Sequence, residues 1–303
     1  MKDALFDNAK TIDIRDANLS YVECGEGEPI VFVHGALSDM RTWKEQFRFF
    51  SKSHRAFSIS RRYASPNKEI AGGAADPWEE HVSDLAEFLD KTNAAPAHLM
   101  GNSQGAFICL LLAIRHPELV RTLVLEEAPV LSLYVSTPPR FAELISLFLS
   151  HPRTAVSILK FGISTIARTE KAMESGDDEL AIRIFTKGVL KNQGFDDLTD
   201  ERQEQITDNY KPLRAFVLGV GFPAIELDDV RRIASPALLM TGENSPSFLI
   251  RLTDRLEELL PNAKRREIKG ASHLVHEDRP AEVNEFVKEF VLRNSNVVET
   301  SNR

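Results

Sequence analysis

Ser103 stands between two glycines in Gly101-Asn102-Ser103-Gln104-Gly105, a spacing that can make an ordinary hydroxyl into a nucleophile. The residues before it, Ala97-His98-Leu99-Met100, read as a short buried strand. Those after it, Ala106 to Arg115, read as an apolar helix. A serine at such a strand-to-helix junction is forced onto a sharp turn, and glycines flank it because side chains there would collide with the neighbouring strand and helix. The turn lifts the hydroxyl above the sheet edge and aims the backbone N–H of Gln104 at any oxygen under attack. The helix N-terminus favours negative charge at the same point. A hydroxyl is a poor nucleophile near neutral pH, so a base must lie within hydrogen-bond reach and a carboxylate must orient that base.

The chain has eight histidines to supply the base. His273 lies 170 residues downstream of Ser103, in Gly270-Ala271-Ser272-His273, the loop after the last strand-like stretch. His276 is the other candidate in that loop. His34, His54, His81, His98, His116 and His151 are assigned to structure. For the acid, Glu126 and Glu127 end the apolar stretch that begins at Arg121. Two carboxylates there are expensive to desolvate without a purpose. A strand alternates faces, so at most one can point toward the histidine. Glu127, nearer the carboxyl end, is the first choice, Glu126 the second and Glu243 the third; the plain alternative pairs both glutamates with arginines such as Arg140 or Arg153.

These residues need a scaffold, and the chain reads as one. Thr11–Asp16 and Ala17–Cys24 alternate as an antiparallel edge pair, and Ile30–Val33 runs apolar as a strand covered on both faces would. Thr42 is placed as the cap of a helix to about Ser51, Arg55–Ser60 as a strand, and Pro77 as the start of a helix to about Lys91. The strand/helix alternation predicts an α/β fold, a mostly parallel sheet wound on both sides by helices, with ligands outside the carboxyl ends of the strands. His34, Ser103 and Glu127 all fall at such ends. From Val130 to Arg232 only helical pattern appears, which reads as an all-helical lid (130–232) inserted in a core made of 1–129 and 233–303. The α/β rhythm then returns with strands at Pro236–Met240 and Arg265–Lys269 and a closing helix over Glu282–Leu292. The polar tail 294–303 reads as disordered. Leu131, Tyr134, Phe141 and Phe222 are placed as pocket residues, with Phe216 and Leu133 beside them, in a largely apolar site.

The formal net charge of −8 over 303 residues argues against a nucleic-acid partner and favours neutral or hydrophobic small substrates. Cys24 and Cys109, the only cysteines, read as buried free thiols that can build neither a disulfide framework nor a zinc site. No stretch approaches 18 uninterrupted apolar residues and the N-terminus has no apolar core region, so no membrane span and a cytoplasmic location are expected. An apolar lid could support a homodimer.

Taken together, the elbow around Ser103, His34-Gly35-Ala36, the lid and the late His273 with Glu277 and Pro280 resemble the α/β-hydrolase superfamily from about Thr11 to Arg293. The resemblance implies a Ser-His-acid triad, no cofactor and no metal. It also implies an oxyanion hole made by the backbone N–H groups of Ala36 and Gln104. Most of that superfamily carries an Asp after the penultimate strand, where this chain has Ser245 in Gly242-Glu243-Asn244-Ser245-Pro246. A serine cannot stabilise an imidazolium by charge, which moves the acid to Glu127, the strand end where haloalkane dehalogenases and zearalenone-type lactone hydrolases carry a catalytic Glu. The subgroup it resembles is the Ser-Glu-His lactonases and esterases. The implied function is hydrolysis of a carboxylic ester or lactone of a small apolar molecule through an acyl-enzyme. The alternatives are a C–C hydrolase of the meta-cleavage-product type, a cofactor-free dioxygenase and a non-catalytic ligand-binding scaffold.

Overall fold

The computed structural model describes residues 5–6, 8–71, 76–136, 139–219 and 221–295. Its centre is an eight-stranded sheet: β1 (Lys10–Ile14), β2 (Ala17–Cys24), β3 (Pro29–Val33), β4 (Arg55–Ile59), β5 (Ala97–Asn102), β6 (Val120–Glu126), β7 (Ala237–Gly242) and β8 (Ala263–Ile268). The order across the sheet is β1-β2-β4-β3-β5-β6-β7-β8. β2 runs antiparallel to β1 and β4, and every other pair is parallel. The continuous apolar runs on β3, β5, β6 and β7 follow from this arrangement, because helices cover both faces.

The helices are α1 (Lys44–Phe50), α2 (Trp78–Lys91), α3 (Gln104–Arg115), α4 (Phe141–Ser150), α5 (Pro152–Phe161), α6 (Ala167–Glu174) and α7 (Asp178–Leu190). They continue with α8 (Asp200–Asp208), α9 (Tyr210–Val217), α10 (Leu227–Arg231), α11 (Ser247–Leu259), α12 (Val275–Asp278) and α13 (Pro280–Ser295). One face of the sheet packs on α2, α3 and α11 through residues such as Leu85, Phe107 and Leu252. The other face packs on α1 and α13 through Phe47, Phe50 and Val287. Between β6 and β7 the described residues form helices and turns only, among them a π-helical turn at Gly162–Ile166 that joins α5 to α6.

Several local expectations change. Asp39, not Thr42, caps the turn that precedes α1, because its carboxylate accepts the Arg41 N–H. Thr42 sits inside that turn and turns its hydroxyl to His276 instead. Cys24 is exposed at a strand end, while Cys109 is buried. Asn294 and Ser295 complete α13, and the tail beyond them lies outside the described residues. None of the described helices is long and apolar enough to cross a membrane.

Candidate active site

β5 ends at Asn102, and the next residue reverses the chain into α3. Ser103 adopts φ 50° and ψ −117°, a left-handed conformation that a non-glycine residue reaches only at a cost of roughly 1–3 kcal/mol. The glycines make room for it. A Cβ on Gly105 would lie 2.0 Å from the Val33 carbonyl oxygen, and one on Gly101 would lie 2.5 Å from the Ala106 nitrogen. The Ser103 N–H donates to the Glu126 carbonyl at 2.8 Å, which ties the turn to the strand that ends in the two glutamates. The side chain is half-buried, at the floor of a cavity of about 340 Å³.

His273 lines the same cavity from the loop after β8. Its Nδ1 lies 2.6 Å from Oε2 of Glu127, whose other oxygen accepts the Gly242 N–H at 2.9 Å. Glu127 is fully buried and has φ 50°, so the chain twists just past β6 and delivers the carboxylate to the histidine. With Nδ1 held by the carboxylate, Nε2 is the ring nitrogen left for chemistry. Ser103 and His273 share the cavity wall without a hydrogen bond between them, the looser geometry common before substrate binds. Glu243 lies apart from this group and accepts the Gly270 N–H at 2.8 Å. Ser245 is buried, and its hydroxyl has no hydrogen-bond partner among the described residues.

Glu126 serves a different histidine. Its Oε2 lies 2.6 Å from Nδ1 of His276, whose ring stacks on Trp43 at a centroid distance of 3.9 Å. Asn102 donates both to Glu126 Oε2 at 3.3 Å and to the His273 carbonyl at 3.1 Å. Neither glutamate pairs with Arg140 or Arg153. The loop that carries His273 is thus held at two points by one strand end.

Ala36 and Gln104 line the cavity beside Ser103. Behind them lies Arg61, a residue no sequence motif marks. Its guanidinium donates to the carbonyls of His34 at 3.0 Å and Gly35 at 3.1 Å, and to the Gln104 side-chain oxygen at 2.9 Å. No carboxylate hydrogen-bonds to it among the described residues, and burial pushes its pKa down to about 10, with Asp76 acting the other way. It is still a cation at neutral pH. The Gly35 carbonyl and the Ala36 N–H belong to one peptide unit, so a cation on the carbonyl polarises that N–H. The legible signal was a charge at the carboxyl end of a buried strand, the argument already applied to Glu127. His34 is buried, and burial with the Arg61 charge beside it drives its pKa well below the usual range; as a neutral ring it accepts the Arg61 N–H at 2.9 Å.

Apart from Ser136 the remaining wall is apolar, and Leu131, Phe161, Phe185, Phe216, Phe222 and Phe248 all reach it. Tyr134 and Phe141 do not line it. Tyr134 packs on His151, and Phe141 is 78% exposed on the outside of α4. No group of His, Cys, Asp and Glu among the described residues is placed to hold a metal.

The family model described as the alpha/beta hydrolase family matches residues 30–286, which span the elbow, both glutamates and His273. The chain belongs to that family. As a member of it, the chain is 23% identical over 298 residues to epoxide hydrolase 2 of Caenorhabditis elegans, covering 95% of this chain and 81% of that one. Its fold is similar to that of carboxylesterase CesB (YbfK) from Bacillus subtilis, with a TM-score of 0.69, 19% identity, and 95% and 93% of the two chains covered. It is also similar to Est816, described as an N-acyl homoserine lactone degrading enzyme, with a TM-score of 0.60, 21% identity, and 93% and 100% covered. This alpha/beta hydrolase therefore has esterase, lactonase and epoxide hydrolase neighbours.

Proposed function

We propose that this hydrolase cleaves a carboxylic ester or lactone by a Ser103–His273–Glu127 triad, with the helical insertion acting as a lid over the site. The observation that carries the reading is His273, held through Nδ1 by a buried carboxylate on the wall of the cavity into which the strained Ser103 turn opens. Ser103 Oγ attacks the acyl carbon while His273 Nε2 takes its proton. The C–O bond to the alcohol then breaks, His273 returns the proton to that oxygen, and an acyl-enzyme remains. Water, deprotonated by the same nitrogen, attacks the acyl carbon; the Ser103 ester bond breaks and the acid leaves. The negative oxygen formed in each half-reaction is held by the Ala36 and Gln104 N–H groups, the first of them polarised by Arg61. A donor of this kind is worth about 2.7–4 kcal/mol.

The chemistry of serine favours this reading over epoxide opening. Attack of a hydroxyl on an epoxide would leave an ether on Ser103, which water does not cleave, whereas a carboxylate nucleophile would leave a hydrolysable ester. The test is hydrolysis of p-nitrophenyl esters of graded length by the wild type and Ser103→Ala. The variant is expected to lose activity by about 10³-fold or more; undiminished hydrolysis in it would overturn the assignment.

A further inference from the structure

Beyond Phe161 and Phe248 lies a second pocket, of about 550 Å³, that the triad does not use. The two rings line both cavities and stack on each other with centroids 3.9 Å apart, so the cavities meet at this pair. Every charged residue lining this second pocket is a cation: Lys160, Arg168, Arg183, Lys187 and Lys191. Arg183 is neutralised by Glu179 and Asp196. The other four make no ion pair among the described residues. Ser164, Thr165 and Ser247 add hydroxyls to the same wall.

This grouping runs against the molecule as a whole, whose formal net charge is −8. Like charges converging on a concavity raise one another's energy, and no carboxylate among the described residues pairs with these four. The local sign also departs from the neutral substrates that the overall charge suggested. Ammonium, guanidinium and hydroxyl groups together are a set of hydrogen-bond donors, which is what an oxyanion with several acceptor oxygens requires. The backbone is shaped to bring them together. A Cβ on Gly188 would lie 2.2 Å from the Thr165 side chain, so only glycine lets α7 touch the π-helical turn there. That turn supplies Ser164 and Thr165 to the basic pocket and Gly162 and Ile166 to the Ser103 cavity.

We propose that the basic pocket binds a phosphate-type oxyanion carried by the substrate, whose acyl part occupies the apolar cavity beside Ser103. This assignment rests on the ester-cleaving reading for the identity of the substrate, but not for the binding of the anion. The substrate class is then a phosphate-bearing ester, recognised at one end by charge and at the other by apolar surface.

Two measurements test it. The first is calorimetric titration of inorganic pyrophosphate into the full chain at low salt, for the wild type, Ser103→Ala and the exposed-residue double variant Arg168→Ser/Lys187→Ser. One pyrophosphate is expected per wild-type chain, bound equally by Ser103→Ala and about tenfold more weakly or less by the double variant. No binding, or equal binding by the double variant, overturns the site. The second compares 1-octanoylglycerol 3-phosphate with 1-octanoylglycerol. The wild type is expected to favour the phosphorylated ester by about tenfold in kcat/KM, and the double variant to lose that ratio. A ratio that persists in the double variant overturns the proposal, and a wild-type ratio near one with pyrophosphate still bound assigns the pocket to a free anion instead. Cleavage of neither ester, with pyrophosphate still bound, sinks the ester-cleaving reading alone.

Discussion

Glu126 and Glu127 are adjacent in the chain, yet each carboxylate holds a different histidine of the same loop. Their consequences on substitution should therefore separate. Glu127→Gln removes the charge that would stabilise a protonated His273 and disturbs its tautomer; kcat should fall by about 10⁴-fold, following the effect of the same change in serine proteases. Glu126→Gln leaves that pair intact but weakens the anchor at His276. It should cost about 2 kcal/mol of stability while most of kcat survives. Steady-state kinetics and urea denaturation of the two variants check both statements, and loss of turnover in Glu126→Gln alone would move the acid to Glu126. Position favours Glu127, nearer the carboxyl end of the strand, as the neighbour of His273, and the two side chains do meet at 2.6 Å. The second pair was not readable. His276 and Glu126 lie 150 residues apart, and the fold alone makes them neighbours.

Among the elements, the turn after β3 and the start of α3 meet over the guanidinium of Arg61, which grips the His34 and Gly35 carbonyls and the Gln104 side chain together. Replacement by Met would leave those carbonyls buried and the Ala36 N–H less polarised. We expect Arg61→Met to lower kcat by about tenfold or more with little change in KM, because the interaction strengthens only as charge develops on the substrate oxygen. A rise in KM at constant kcat would show instead that Arg61 merely shapes the pocket. Elements were read from the sequence more surely than contacts. The strands and helices of the sheet lie where apolar runs and turn residues put them, because parallel strands covered on both faces have little freedom of composition. The pocket wall was read less well. Hydrophobicity placed Phe141 on a helix but not on a face of it, and the exposed outer surface of α4 took it. The cap before α1 differs from expectation for a related reason: Asp39 and Thr42 are both good caps, and the carboxylate reaches the Arg41 N–H while the hydroxyl is drawn to His276.

For the molecule as a whole, acid is the expected weakness. His98 is fully buried on β5, between the Thr122 hydroxyl at 2.8 Å and Glu28 at 3.3 Å. Burial pushes its pKa down from 6.5 to about 4, with the Glu28 carboxylate partly opposing the shift. Between those values the unfolded chain binds a proton that the folded chain does not, so stability is complete above pH 6.5 and declines as pH falls toward about 4. The loss from this one group reaches about 3 kcal/mol. Urea denaturation at a series of pH values should show it, and His98→Gln should flatten that part of the profile; an unchanged slope would assign the acid sensitivity elsewhere.

β6 and β7 are hydrogen-bonded neighbours, with Leu123 opposite Ala237. The helical insertion therefore leaves the sheet and rejoins it at adjacent strands, like a drawer set in a frame. The proposed triad is fixed to the frame, whereas much of the wall of the Ser103 cavity, and all of the basic wall except Ser247 and its neighbours, belongs to the drawer. If the proposed triad holds, exchanging or lengthening the drawer between these two adjacent strands would change which molecules are admitted and leave the reacting groups in place.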